Sequence, residues 1–380
     1  MQTERLETII IGGGQAGLAT GYHLARKGQS FAILDGSEQV GDSWRKRWPS
    51  LRLYTPAAFD GLPGMPFPAP RYSYPTAMEM AAYLESYAAH FDLPVHNGVV
   101  VDALERNDEG YVVTAGTRRY EADNVVVATG VMQHDNPVVP EFAGELDPSI
   151  RALHSADYRS PEQLQEGAVL VVGASHSGGD IAYEVAKAGF PTVLSGPDTG
   201  QFPLELEGRG VRLALPLLRL LATRVLTVST PLGRKVKPEI RSHGGPLLRV
   251  KRPDLSAAGV ELVLDRTVGT RDGMPVLADG RALDVANVVW CTGFRHRYDW
   301  IRFEVPIEDD GYPVQVRGAV PSSPGLYFAG MPFLHSFSSM LVLGAGRDGA
   351  RVAEHIEKRS RSRARARDGA RAPATEELAT

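Results

Sequence analysis

One pattern recurs along this chain at a fixed distance, and it narrows the possible folds more than any other feature. The apolar run Thr8 to Ile11 enters Gly12-Gly13-Gly14-Gln15-Ala16-Gly17, a helical stretch follows through Leu18, Tyr22, Leu24 and Ala25, and Phe31-Ala32-Ile33-Leu34 ends at Asp35. The same succession returns as Val169 to Val172, Gly173-Ala174-Ser175-His176-Ser177-Gly178, a helical stretch through Ile181, Val185 and Ala186, and Thr192-Val193-Leu194. Each is a strand, glycine turn, helix and strand of about 30 residues, the size of a βαβ unit. Further on, Asn124-Val125-Val126-Val127-Ala128-Thr129-Gly130 is echoed by Asn287-Val288-Val289-Trp290-Cys291-Thr292-Gly293. The glycine loops are 161 residues apart (Gly12 to Gly173) and the Asn-Val-Val segments 163 (Asn124 to Asn287). Two near-equal offsets predict an α/β chain with two homologous Rossmann-like dinucleotide-binding domains.

A third block, Gly325-Leu326-Tyr327-Phe328-Ala329-Gly330, follows the second copy and has no partner left except the first. The second domain is therefore expected as an insertion. Residues 1–158 and 294–357 would form the first domain and 159–293 the second, with an extra amphipathic helical segment at 201–250. Residues 358–380, basic and polar, read as a disordered tail.

A strand that ends in Gly-x-Gly-x-x-Gly and opens a helix lets the backbone approach a pyrophosphate, with helix N-terminal amides forming the anion site. Gly12, Gly14 and Gly17 hold those positions, and Asp35 closes the next strand where a carboxylate accepts ribose hydroxyls. In the second loop Gly173, Ser175, His176, Ser177 and Gly178 take the equivalent places, followed by Ser195-Gly196-Pro197 with no acid. A missing carboxylate removes repulsion of a 2′-phosphate, so NADPH or NADH is expected there. No Arg stands at Pro197, and Arg209, Lys235 and Lys237 are candidate substitutes from the inserted segment. Two dinucleotides in one chain imply hydride transfer between a flavin and a nicotinamide.

Composition removes competing outlets for the electrons. Cys291 is the sole cysteine, which excludes a redox dithiol and any multi-cysteine metal site and fits a reducing compartment. No metal is expected. Lys and Arg number 41 against 45 Asp and Glu; without the last 23 residues the balance is 34 minus 42, or −8, which argues against a nucleic-acid surface. Residues 318–346, the longest stretch free of charged side chains, contain three prolines and five glycines, so no membrane span is expected. Without a secretory h-region after Met1, a cytoplasmic location is the expectation.

Gly41-Asp42-Ser43-Trp44-Arg45, the two Thr-Gly closures, the Gly-x-Ser-x-Ser-Gly loop and Phe142-Ala143-Gly144 with His154-Ser155-Ala156-Asp157-Tyr158 together resemble the class B flavoprotein monooxygenases, to about residue 357. The resemblance implies FAD in the first domain, NADPH in the second, and O2 activated as a C4a-(hydro)peroxyflavin that retained NADP⁺ protects. It places Trp44, Arg45 and Gly130 at the FAD, Val101 at its adenine and Gly330 at its ribityl chain or pyrophosphate, with His154 and Tyr158 in the interdomain linker. Two departures stand out: nine residues rather than three separate Gly144 from His154, and His176 stands where relatives carry Asn.

Tyr54 and Thr55, which follow the Trp-Arg pair, His154 and His335 are the candidates for the reacting centre. The expected reaction is oxygenation of sulfur or nitrogen in a small molecule with O2 as co-substrate. The alternatives are an NAD(P)H oxidase releasing H2O2, a Baeyer-Villiger monooxygenase, and a non-enzymatic redox-sensing or transport-accessory flavoprotein. A homodimer stays open.

Overall fold

A computed structural model describes residues 2–130 and 136–371 of the chain. It contains two sheet units, the first mixed and the second parallel, each organised around one glycine loop. In the first, β1 (Gln2–Ile11), α1 (Gln15–Ala25) and β2 (Phe31–Leu34) form the leading βαβ unit, followed by the short helix α2 (Asp42–Arg45) and by α3 (Ala77–His90). α3 starts with a capping box, in which the Thr76 hydroxyl accepts from Glu79 N–H and the Glu79 carboxylate accepts from Thr76 N–H. Strands β3 (Val95–His96), β4 (Ala103–Asn107), β5 (Gly110–Ala115) and β6 (Arg118–Val127) complete the N-terminal part. The ends of β1 (Ile9 to Ile11) and β6 (Val125 to Val127) are continuous apolar runs because both faces of the sheet are covered where these strands pair in parallel.

The second unit uses β7 (Arg151–His154), β8 (Val169–Val172), α4 (His176–Lys187), β9 (Thr192–Ser195), the helices α5 (Arg209–Leu220), α6 (Pro231–Ser242) and α7 (Arg252–Ala257), β10 (Glu261–Val263), a β11 (Thr267–Arg271) and β12 (Met274–Leu277) hairpin, and β13 (Asn287–Trp290). The chain then returns to the first unit through β14 (Leu326–Phe328) and α8 (Val342–Arg371).

The first sheet runs β3-β2-β1-β6-β5-β4, in which β4, β5 and β6 pair antiparallel. β14 joins it parallel to β6, with Leu326 opposite Val125. The second sheet runs β10-β9-β8-β13-β7, all parallel. The two connections between the units lie side by side: Val138 N–H donates to Gly293 O at 2.9 Å and Arg295 N–H to Asn136 O at 3.0 Å.

Two expectations are corrected. β7 lies before residue 158 yet pairs with β13, because β13 would otherwise present an open edge; the second unit thus starts by Arg151. The tail expected to be disordered from Lys358 instead continues α8 as far as Arg371. Its bases find partners: Arg361 pairs with Glu357 one turn away at 2.7 Å, Arg363 with Asp123 at 3.1 Å, and Arg359 donates to Pro324 O at 2.9 Å. Residues 372–380 lie outside the described part. The inserted segment carries the amphipathic α5 and α6, joined through a turn of π-helix at Leu221–Val225.

Candidate active site

The first loop is built by close backbone approach. A Cβ on Gly12, whose φ is +109°, would stand 2.5 Å from Ala128 O, and one on Gly17 would stand 1.9 Å from Gly12 O. Only glycine permits that packing of β1, α1 and β6. Gly14 differs, since a Cβ there would meet no protein atom within 4 Å; it points into open space at the N-terminus of α1. Asp35 accepts from Gly13 N–H and, at 2.7 Å, from Ser37 N–H, which fixes its carboxylate at the mouth of the loop. Gly330 (φ +76°) sits against Ala16 in the first turn of α1, and a Cβ on Gly130 would also find open space. Val101 follows the segment where Val99 N–H donates to Asp35 O, and its own peptide groups have no partner among the described residues. A helix N-terminus, an open glycine, a ribose-facing acid and a free peptide edge fit an FAD adenylate and pyrophosphate.

In the second loop the same contacts recur with different contents. Gly12 N–H donates to Leu34 O and Gly173 N–H to Ser195 O, so Asp35 and Gly196 are structural equivalents. A Cβ on Gly173 would meet Cys291 O at 2.4 Å and one on Gly178 would meet Gly173 O at 1.8 Å. Ser175 replaces the open Gly14. Its hydroxyl donates to Gly245 O at 2.8 Å, so the end of the inserted segment lies directly over the loop. Ser195 is turned inward, with its hydroxyl donating to Asp265 O at 2.8 Å and lying 2.9 Å from Thr267 Oγ1. This corrects the expectation that Ser195 meets the coenzyme: its position at the strand end is right, but it ties β9 to the β10–β11 connection.

The two units meet at Tyr54, whose hydroxyl donates to an acid of the second unit, while the neighbouring Thr55 donates to a buried acid of the first. Tyr54 Oη donates to Asp180 Oδ2 at 2.7 Å, reaching from the first unit into α4 of the second. Thr55 Oγ1 donates to Asp60 Oδ1 at 2.5 Å within the first unit. Burial pushes Asp180 up to about 6, moderated by the Tyr54 hydrogen bond and Arg249. Burial pushes Asp60 up to about 7, and its second oxygen has no partner among the described residues. The Tyr54 ring packs edge-on to His176, centroids 5.1 Å apart, and burial holds the His176 imidazole below its ordinary value. His154, at the end of β7, packs edge-on to Phe294 at 5.1 Å, and Nδ1 accepts from Ala156 N–H at 3.1 Å. Phe294 lies under the Arg47 guanidinium, 5.9 Å away. Tyr158 donates to Glu184 on α4 at 2.9 Å.

Other candidates are placed elsewhere. Trp44 packs between the cores of the two units, whereas Arg45 turns away and binds Val40 O, Asp42 and Glu85. Phe142 packs on Trp290 of β13 at 5.9 Å, in a short 3-10 turn (Glu141–Glu145) that also contains Gly144. His335 lies against the inserted segment, its carbonyl accepting from Val228 N–H at 2.9 Å. Burial pushes its imidazole down to about 4, helped by Arg347, Arg351, Arg317 and Arg224. Of the proposed 2′-phosphate clamps, Lys237 is committed to Glu308 at 2.9 Å. Arg252 lies beside the second loop, paired with Asp198 in a depression that Ala174 and Leu194 also line. Asp60, Asp180 and Arg252 carry no motif; an unpaired acid in an apolar stretch (Ala57-Ala58-Phe59-Asp60) was the one available hint.

Residues 9–202 match the family model described as pyridine nucleotide-disulphide oxidoreductase. An uncharacterized CzcO-like oxidoreductase of Geobacillus kaustophilus is 37% identical over 343 residues, covering 90% of this chain and 96% of that one. A probable indole-3-pyruvate monooxygenase of Arabidopsis thaliana, YUCCA3, is 30% identical, covering 92% and 86%. The solved flavin-containing monooxygenase from Stenotrophomonas maltophilia superposes with a TM-score of 0.74 at 26% identity, covering 94% and 99%. With two glycine loops built alike and burial pushing the lone thiol, Cys291, up to about 12, the chain belongs to the pyridine nucleotide-disulphide oxidoreductase family as one of its FAD- and NAD(P)H-dependent flavin monooxygenases.

Proposed function

We propose that this enzyme oxygenates a soft heteroatom, sulfur or nitrogen, in a small molecule. In the overall reaction, substrate, O2, NAD(P)H and a proton give the S- or N-oxide, NAD(P)⁺ and water. FAD, when bound, supplies hydride acceptance and activation of O2. The carrying observation is the hydrogen bond from Tyr54 to Asp180, which joins the segment after Trp44 in the first unit to the helix of the second glycine loop. At that junction the chain's own residues orient and exclude water. Gly14 and the α1 amides admit the pyrophosphate, Asp35 receives the ribose, and Tyr54 and His176 form an aromatic wall with a neutral imidazole. Asp180, raised to about 6 by desolvation, is mostly the carboxylate that accepts from Tyr54 at neutral pH and takes up a proton below about pH 6. His154 and Tyr158 act through position, linking β7 to Phe294 and to α4.

The test is a stoichiometry. NADPH consumed, oxygenated product and H2O2 are measured together for a panel of thioethers, amines and ketones. Sulfoxide or N-oxide matching most of the NADPH is the expected result. Esters from ketones would replace this reading with Baeyer-Villiger oxidation, and H2O2 equal to NADPH on every compound would replace it with an oxidase.

A further inference from the structure

The inserted segment breaks the charge pattern of the chain. From Gly208 to Pro238 there are seven Arg and Lys residues and no Asp or Glu, although the whole sequence carries a net charge of −4. The same stretch exposes large apolar side chains: Leu213 is 85% accessible, Leu217 58% and Leu220 50% on α5, and Leu232 47% in the first turn of α6. At about 100° per residue, Leu213, Leu217 and Leu220 fall in one stripe roughly 60° wide, opposite Val211 and Leu215, which are buried. Arg209 borders the stripe. Arg212 and Arg219 lie to one side and stack on the rings of Tyr72 and Phe59, at 5.5 and 5.8 Å.

A helix that packed only against its own protein would present polar residues on the outer face. Here the outer face is apolar with a basic border, the pattern of helices that lie in a lipid–water interface. Charge decides between coverings. A second copy docked through the same face would set the acid-free basic stretch against itself, whereas an anionic lipid surface complements it. One further base adjoins it: Arg347 of α8, paired with Asp348 at 3.0 Å, donates to Thr223 O at 3.3 Å in the turn that follows α5. No helix among the described residues is long and apolar enough to cross a membrane, so the contact is peripheral.

We propose that the α5–α6 face docks on an anionic lipid surface, with Leu213, Leu217 and Leu220 inserted among the headgroups and the flanking arginines on lipid phosphates. Docking there brings the bilayer beside Tyr72 and Phe59, in the segment that carries Thr55 and Asp60.

The FAD-loaded full chain is sedimented with vesicles of phosphatidylcholine alone or containing phosphatidylglycerol, across a salt series. Binding to the phosphatidylglycerol vesicles that weakens with salt is expected. The combined Leu213→Glu, Leu217→Glu and Leu220→Glu change should lower partitioning at least about tenfold while flavin content and circular dichroism stay unchanged. If that variant misfolds, Arg209→Gln with Arg234→Gln and Lys235→Gln, all exposed, should weaken binding several-fold and flatten the salt dependence. Wild-type protein left in the supernatant, equal binding to neutral vesicles, or unchanged binding of these variants overturns the proposal. A concentration-dependent dimer in analytical ultracentrifugation that the leucine changes abolish would assign the face to a second copy instead.

Discussion

The two glycine loops are built on one skeleton and filled differently. Gly12 and Gly173 meet Ala128 O and Cys291 O, and Gly17 and Gly178 each meet the carbonyl of their own first glycine. The ligand-facing positions have diverged: open Gly14 became Ser175 bonded to Gly245 O, and Asp35 became Gly196. Backbone contacts closer than a Cβ allows cannot be changed without moving a strand, whereas positions that face only solvent or ligand are free to specialise. The first loop is open to its nucleotide, and the second lies under a chain segment that approaches from the insertion.

The largest effect should come from breaking the first loop where no protein atom objects. Gly14→Val should fold normally and purify colourless, because its side chain occupies only the pyrophosphate path; absorbance at the flavin band against protein reads this out. Stoichiometric FAD in that variant would show that the open direction is not the binding path. Gly178→Ala, by contrast, should disrupt the second unit itself.

The buried acids sharpen the comparison next. Asp60 is raised to about 7 in the fold, so the native state holds a proton that the unfolded chain loses near pH 4. Stability should therefore fall as pH rises from about 4 to 7, with the deficit complete above 7. Asp60→Asn should remove that slope and gain about 2 to 4 kcal/mol at pH 8, vanishing near pH 4, as measured by denaturant unfolding. A variant no more stable than the parent at pH 8 would mean that Asp60 ionises without cost.

A smaller effect is expected at the second loop, where we propose that Arg252, paired with Asp198, takes the role of the clamp absent at Pro197. Arg252→Ala should lower kcat/KM for NADPH by about 10- to 150-fold, roughly 1.5 to 3 kcal/mol, and leave NADH nearly unchanged. An equal loss with both coenzymes would show that the pair with Asp198 only shapes the loop. The subtlest change is Tyr54→Phe. Removing the hydroxyl deletes a bond that holds Asp180 down, so the midpoint of any pH dependence in anaerobic flavin reduction should move up from about 6. A downward move would contradict the pairing.

The repeat made the parallel parts of both sheets and their glycine loops legible, because glycine spacing and apolar runs are local signals that survive without tertiary information. Asp60 and Asp180 were not legible, since an acid becomes unusual only once packing removes its water. Arg252 was hidden because α7 reaches the coenzyme loop from 79 residues beyond Gly173. The helix past Lys358 was hidden in part for the same reason: Arg363 pairs with Asp123 on β6 and Arg359 donates to Pro324 O, partners far away in the chain, whereas the Arg361–Glu357 pair one turn apart is a local signal.

β14 slots beside β6 with Leu326 opposite Val125, some 201 positions later in the chain. During synthesis the N-terminal sheet must therefore wait, its β6 flank uncovered, until the whole inserted unit has left the ribosome. Such non-local pairing is slow and exposes an apolar strand edge to aggregation. The inserted unit has no such delay, since β7 to β13 are contiguous, so it can fold first and hold the two connecting strands in place. The order of biogenesis then reverses the order of the sequence: the C-terminal return of the chain completes the first unit, and truncation before Leu326 should trap a folded second unit attached to an unfinished first one.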